Sequence, residues 1–273
     1  MLGQDLVTRL EAEHTVIHTD RDTVDITSPS SVSSAVRGVD AIVNCAAWTA
    51  VDDAESRESD AFTLNAVAPQ ILARAAASIG VRLVQVSTDY VFDGVASSPY
   101  QEDELALPAS AYGRTKAAGE WAVRASGADH LIVRTAWLYG AFGPNFPRTM
   151  ARLAADRESI EVVNDQTGQP TWAADVADLI ARLLEAEVPA GTYHATSSGQ
   201  ATWFDFAQAV MRASGREEGI IKPTTSAGFI RPAPRPTYSV LGHQALVDAG
   251  IAPIGNWRER WDIAAQSVLA LPA

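Results

Sequence analysis

Tyr112 and Lys116 stand four residues apart in Tyr112-Gly-Arg-Thr-Lys116, the spacing that puts two side chains one turn apart on the same helical face. An ammonium beside a phenol favours the phenolate, so the spacing predicts a Tyr112 pKa drawn down from about 10 toward neutrality. Such a tyrosine is a usable general acid. An ordinary exposed helix pair is the bland reading of the same spacing. Against it stands the scarcity of lysine: of the 21 basic residues only Lys116 and Lys222 are lysines. Arginine is a poor substitute where a compact point charge is needed.

A second cluster, Ser87-Thr-Asp-Tyr-Val-Phe-Asp-Gly94, follows an apolar strand directly. Hydroxyls and carboxylates at the carboxyl end of a parallel strand stand where open α/β sheets bind ligands. The alternative is a hydrogen-bonded turn around Asp93-Gly94. In Asn44-Cys-Ala-Ala-Trp-Thr49, Ala46 and Ala47 would let a flat cofactor lie close to the backbone, or simply allow tight packing. Asp20 follows a second strand candidate, where a carboxylate would meet an adenosine ribose. Its neighbour Arg21 suits a 2′-phosphate instead, so the choice between NADH and NADPH stays open.

These groups need a scaffold, and the hydrophobic periodicity supplies one. Gly3 to Glu13 reads as an amphipathic helix and Thr15–Thr19 as a short strand. Ser28 followed by Pro29 reads as an N-cap with proline at N1, opening a helix to about Arg37. Ala41–Cys45 is a buried strand, and Asp60 to Ile79 a long helix stopped by Gly80. The strand Arg82–Ser87, the helix Ala111 to Ser126 and the strand Leu131–Thr135 complete the alternation. The pattern predicts an α/β fold, a doubly wound, Rossmann-like parallel sheet, with a smaller C-terminal substrate lobe. The boundary is expected near 136: residues 1–136 form the dinucleotide-binding domain. Residues 137–273 are mainly the substrate lobe, with a strand near 191–195 returning to the sheet.

Composition narrows the function. The chain has 273 residues and a formal net charge of −12, which opposes a nucleic-acid or anionic-membrane surface. No apolar stretch reaches the length of a membrane span and no signal-peptide core opens the sequence, so a cytoplasmic location is expected. The single cysteine, Cys45, precludes an internal disulfide and reads as a buried small hydrophobe. The five histidines show no metal-ligand spacing, and no metal ligands are assigned.

Taken together, the motifs resemble the dTDP-4-dehydrorhamnose reductase family of extended short-chain dehydrogenases/reductases. The resemblance covers essentially the whole chain. It rests on Asp25-Ile-Thr27, Asn44 to Asp52, Ser87 to Gly94, Tyr112 to Lys116, Arg134-Thr-Ala-Trp137 and Asn164-Asp-Gln-Thr-Gly-Gln-Pro-Thr171. Thr202-Trp-Phe-Asp-Phe206 and Arg235-Pro236 extend it into the second lobe. By position, the resemblance implies cofactor contacts at Leu2, Gly3, Asp20, Asp25, Ile26, Ala47, Trp48, Thr49, Val86, Tyr112 and Lys116. It implies sugar-nucleotide contacts at Thr88, Asp89, Trp137, Asn145 and Arg235, the last at a diphosphate. The implied reaction is hydride transfer from NADPH or NADH to the C4 ketone of dTDP-4-dehydro-L-rhamnose, the last step of dTDP-L-rhamnose synthesis. Tyr112 would be the proton donor, Lys116 its partner and the holder of the nicotinamide ribose, and Thr88 the group that orients the carbonyl. Arg134, Arg148, Arg231 and Arg235 are expected to supply a local positive pocket within the acidic chain. The resemblance also admits a magnesium ion and a homodimer.

The same fold is similar to the regulatory subunit of methionine adenosyltransferase, so a non-catalytic nucleotide-binding role, or an inactive truncated relative, is the competing expectation. An epimerase or dehydratase finds no support in the second-lobe motifs. The sequence departs from the family pattern at Trp48, a place more often held by a smaller aromatic or histidine. It departs more at its front, where roughly ten further residues, a first strand and most of a glycine-rich loop, would be expected before Met1. Without them the chain as written is expected to be barely stable and its pyrophosphate site incomplete, with the working protein starting upstream.

Overall fold

The computed structural model describes residues 1–270. Its N-terminal part contains α1 (Leu2–Leu10), α2 (Pro29–Ala35), β1 (Ala41–Asn44), α3 (Val51–Ala54), α4 (Glu58–Phe62) and α5 (Ala68–Ile79), the last two joined by a π-helical turn, Thr63–Val67. Then come β2 (Arg82–Thr88), α6 (Ala111–Arg124) and β3 (His130–Thr135). The local signals operate as the sequence suggests. Ser28 Oγ accepts from the Ser31 amide with Pro29 at N1, Ser110 Oγ accepts from the Gly113 amide at 3.1 Å, and Gly80 ends α5 at a φ of 71°.

The chain continues through β4 (Leu138–Tyr139), α7 (Phe146–Asp156), β5 (Ile160–Val163), β6 (Thr167–Gly168), β7 (Thr171–Trp172), α8 (Ala173–Glu185) and β8 (Gly191–His194). It closes with β9 (Ser197–Ser198), β10 (Ala201–Thr202), α9 (Trp203–Ala213), β11 (Ile221–Thr224), α10 (Gln244–Asp248), β12 (Ile254–Asn256) and α11 (Trp257–Leu269). The central sheet is parallel, in the order β1-β2-β3-β8, so β8 returns from late in the chain to lie beside β3.

Alternation along each strand sends side chains to two separate cores. Val84, Leu131 and Val133 meet α1 and α8 through Leu2, Leu6, Val176 and Ile180. Leu83 and Ile132 face the other way, onto Val32, Leu72, Ala76 and Val123 of α2, α5 and α6. A third core joins α7, α9 and α11 around Phe206, Met211, Trp257 and Trp261. No helix among the described residues is long and apolar enough to cross a membrane.

One expected element does not form. Thr15–Thr19 carries no ladder hydrogen bonds and is largely exposed, with Ile17 at 62%. A strand needs a partner, and β1 is the terminal strand of the sheet on that side. Its residues Ala41, Ile42 and Val43 are accordingly only half-buried, whereas Leu83, Val84 and Leu131 to Val133 are fully buried.

Candidate active site

Thr88 ends β2 in extended conformation and its side chain caps the turn that follows. Oγ1 accepts from the Tyr90 amide at 3.2 Å and donates to Asp89 Oδ1 at 2.9 Å. Opposite it, the N-terminus of α6 presents Tyr112. Gly113 lets the helix come this close, since a Cβ there would overlap the Tyr90 carbonyl oxygen. The Tyr112 ring packs edge-on against Tyr90, with centroids 5.5 Å apart. One turn on, Lys116 is buried and its Nζ donates to the Val86 carbonyl at 2.7 Å. The sheet end and the helix therefore hold hydroxyl, phenol and ammonium together.

Their electrostatics differ from the expected ones. Burial pushes the Tyr112 phenol well above its ordinary value; the Thr88 hydroxyl beside it acts the other way, and the neighbouring Asp89 and Tyr90 add to the rise. Lys116 does not bring the phenol down to neutrality, because burial of the phenol outweighs it; burial also lowers the lysine's own pKa to about 8, while its Nζ donates to the Val86 carbonyl. Asp89 is raised to about 6, also by burial, against the opposing pull of the Ser239 and Thr88 hydroxyls. At neutral pH Tyr112 keeps its proton.

All three groups line a cleft of about 2590 Å³ that runs from the carboxyl ends of β1, β2 and β3 along the open side of the sheet. At one end lie Asp20, Asp25 and Ile26; the two carboxylates sit in tight polar turns, accepting from Thr23 and Thr27 respectively, which hold both below the usual range. Leu2 and Gly3 present the start of α1 to the same cleft, where free helical amides and the helix dipole favour an anion. Ala47, Thr49 and Val86 form the floor on the way to Lys116. Trp137, whose φ is 45°, stacks on Trp203 at 3.6 Å and 7°, and the pair walls the far end. Two buried atoms there, Asp89 Oδ2 and Thr135 Oγ1, have no protein partner among the described residues. A long groove with a positive helix end, small floor residues and unspent polar atoms beside the phenol suits a dinucleotide lying against a polar substrate.

Three expected contacts are elsewhere. Trp48 is not part of the cleft lining; it packs on the cluster of Ala54, Ala61, Ala111 and Tyr112, with Nε1 on the Ala50 carbonyl and the Arg57 guanidinium over its ring at 4.6 Å. Asn145 is spent capping α7, accepting from the Arg148 amide and donating to the Gly140 carbonyl at 2.8 Å. Arg235 is paired with Asp52 at 2.8 Å, outside the cleft lining.

The expected positive pocket does not assemble either. Arg134 is buried on Glu120, Arg148 donates to the carbonyls of Val268 and Ala270, and Arg231 lies half-exposed 3.9 Å from Asp52. Arg134 and Arg148 are claimed by acceptors away from the cleft. Cys45, expected as a buried small hydrophobe, is half-buried and lines the cleft, and desolvation pushes its thiol up to about 12.

Asn65 was not singled out by the sequence, yet it organises the site. From the π-helical turn its Oδ1 accepts from the Trp48 amide at 2.9 Å, while Nδ2 donates to the Trp48 carbonyl and to Thr115 Oγ1 at 3.0 Å. This ties the loop after β1 to α6. A lone asparagine in an alanine-rich helical run was the available signal. Trp203 and Glu120 were likewise unassigned.

Comparison with known proteins accords with this geometry. Residues 1–269 match the family model described as RmlD substrate binding domain. A probable dTDP-4,6-dihydroxy-2-methyloxan-3-one 4-ketoreductase of Streptomyces antibioticus is 47% identical, over 99% of this chain and 93% of that one. A dTDP-4-dehydrorhamnose reductase of Streptomyces griseus is 46% identical, over 94% of this chain and 88% of its own. Among solved structures, the dTDP-4-dehydrorhamnose reductase of Bacillus anthracis in complex with NADP superposes with a TM-score of 0.93 at 36% identity, covering 96% and 94% of the two chains.

Proposed function

The chain belongs to the RmlD substrate-binding-domain family, and from that premise we propose that it reduces the C4 ketone of dTDP-4-dehydro-L-rhamnose to dTDP-L-rhamnose with NADPH or NADH. It is an oxidoreductase of dTDP-sugar synthesis. The observation that carries the reading is the convergence of Thr88, Tyr112 and Lys116 in one cleft of about 2590 Å³, roomy enough for a dinucleotide.

The nicotinamide cofactor, when bound, supplies the hydride that adds to C4. The residues that would hold it are Leu2 and Gly3 at its phosphates, Asp20 or Asp25 at its adenosine ribose, and Lys116 at its nicotinamide ribose. As the C4–O double bond opens, its electron pair takes the proton of Tyr112 Oη, leaving an alcohol on the sugar and a phenolate on the enzyme. Burial keeps Tyr112 protonated until that moment. Thr88 lies beside the phenol, and turning its one hydroxyl proton from Asp89 Oδ1 to the carbonyl oxygen would fix the carbonyl's direction. The Lys116 ammonium, one turn away, offsets the phenolate charge. Asp89 Oδ2 and Thr135 Oγ1 offer hydrogen-bonding capacity to sugar hydroxyls, and Trp137 with Trp203 offers an apolar wall. No step is assigned to a magnesium ion.

The test is direct. Purified protein mixed with dTDP-4-dehydrorhamnose and NADPH should consume nicotinamide absorbance and release dTDP-rhamnose. Tyr112→Phe should lose about 100-fold or more in kcat while retaining nucleotide affinity. Turnover that survives Tyr112→Phe would remove Tyr112 as the donor; no turnover by the wild type would remove the reading.

A further inference from the structure

Tyr112, Lys116 and Glu120 recur every four residues along α6 and so form a single stripe facing the sheet. Glu120 is 1% exposed, an expensive place for a carboxylate, and one of its partners adjoins the site. Ser87 Oγ donates to its Oε1 at 2.6 Å, and Ser87 immediately precedes Thr88 on β2. Arg134 of β3 holds it with Nε at 2.9 Å and Nη2 at 2.8 Å, a two-pronged pair closed to solvent. Arg124 adds a further bond at 3.0 Å.

Arg134 in turn is clamped from the other side. Its guanidinium lies over the Phe92 ring at 4.9 Å, and Nη1 donates to the Glu102 carbonyl and faces His194 Nε2 at 3.4 Å. Two rungs therefore join α6 to β2. One is Lys116 to the Val86 carbonyl, the other Ser87 to Glu120. They come from adjacent residues of the strand that carries Thr88.

We propose that Glu120 is a positioning residue for the reduction: through Ser87 and Arg134 it fixes the seat of α6 on β2, and so the placement of Tyr112 and Lys116 against Thr88. This rests on the reductase reading above. A second consequence follows from charge. The titratable groups facing Lys116 are Glu120 on its own helix, Tyr112 on the same stripe and Cys45 at the end of β1. Burial keeps both the phenol and the thiol protonated near neutrality, so Glu120 is the negative charge that favours the Lys116 ammonium. Burial works to raise the Glu120 carboxyl, but Arg134, Ser87 and Arg124 more than offset it and keep it ionised.

The experiment compares wild type, Glu120→Gln and Ser87→Ala in the full chain, by steady-state kinetics across pH and by NMR titration after labelling with [13C]lysine. Lys116 and Lys222 are the only lysines, so two signals suffice, and Lys222→Arg identifies each. Glu120→Gln should lower kcat about 10- to 100-fold with little change in KM for the sugar nucleotide. It should also move the Lys116 titration, and the alkaline limb of the rate profile, to lower pH. Ser87→Ala leaves the Glu120–Arg134 pair intact and should lose about 10-fold in kcat.

If Glu120→Gln does not fold, Ser87→Ala decides. Folded variants with wild-type kcat would overturn the proposal. So would a loss of activity that merely tracks a lower melting temperature while the Lys116 titration stays where it was. A wild type that reduces no 4-keto sugar nucleotide would remove the reductase reading instead, and the lysine titration would still report whether Glu120 acts on Lys116.

Discussion

Gly119 of α6 lies against the carbonyl oxygen of Asn65 so closely that a Cβ at position 119 would overlap it. Backbone meets backbone here, and neither atom can swing aside as a side chain end would. Glycine in a helix interior costs about 1 kcal/mol relative to alanine. At this position the contact outweighs that propensity. Gly119→Ala should destabilise the fold by about 1–3 kcal/mol, the usual range for overpacking. The same change pushes α6 away from Asn65, so kcat should fall along with the denaturation midpoint. A Gly119→Ala protein more stable than wild type in chemical denaturation would show that the two backbones are not in fact pressed together.

A second glycine does similar work against Trp137. A Cβ at Gly168 would run into the Trp137 indole, which Trp203 covers on the opposite side at 3.6 Å. Trp137 also holds a positive φ, a conformation that persists only when its surroundings enforce it. Gly168→Ala should therefore expel the indole from its slot. The expected outcome is a raised KM for the sugar nucleotide with a smaller change in kcat, read from initial-rate kinetics. A fall in kcat at unchanged KM would place Trp137 in the chemistry and not in binding.

Much of this arrangement was legible before the fold. Caps at Ser28 and Gly80 depend only on neighbouring residues, and the Tyr112–Lys116 spacing sets a shared helical face without reference to anything else. The groups that lock that face were not legible. Glu120 finds Ser87 and Arg134 only because β2 and β3 lie side by side, and Asn65 finds Trp48 only because the loop after β1 folds over the π-helical turn. Thr15–Thr19 shows the reverse failure: β-branched residues mark a strand locally, but the ladder that makes one is a property of the sheet. The Tyr112 phenol departs from its expected range for a related reason, since nothing in the spacing reveals how deeply the fold buries it.

The lysine gives the reaction a pH limit. Burial lowers Lys116 from the ordinary 10.5 to about 8, so the ammonium is present below that pH and lost above it. If the charge is needed to hold the cofactor ribose and to offset the Tyr112 phenolate, kcat/KM should fall on the alkaline side with a midpoint near that value. Lys116→Met should remove the limb together with most of the activity. A rate profile flat to well above that pH would mean that the neutral amine serves as well as the ammonium.

Asp89 acts on stability, with the opposite sign to a salt-bridged carboxylate. Burial raises it from 3.8 to about 6, so between those values the folded protein holds a proton that the unfolded chain has already released. Where the native state binds more protons, stability falls as pH rises; the loss accumulates across that window and persists above it. A shift of this size corresponds to about 3 kcal/mol. Asp89→Asn keeps an oxygen to accept from Thr88 Oγ1 and removes the ionisation. The variant should match wild type below the window and exceed it in melting temperature at neutral pH, while binding the sugar nucleotide less well. Equal pH dependence of the two melting curves would mean that the carboxylate ionises in the fold as readily as in the unfolded chain.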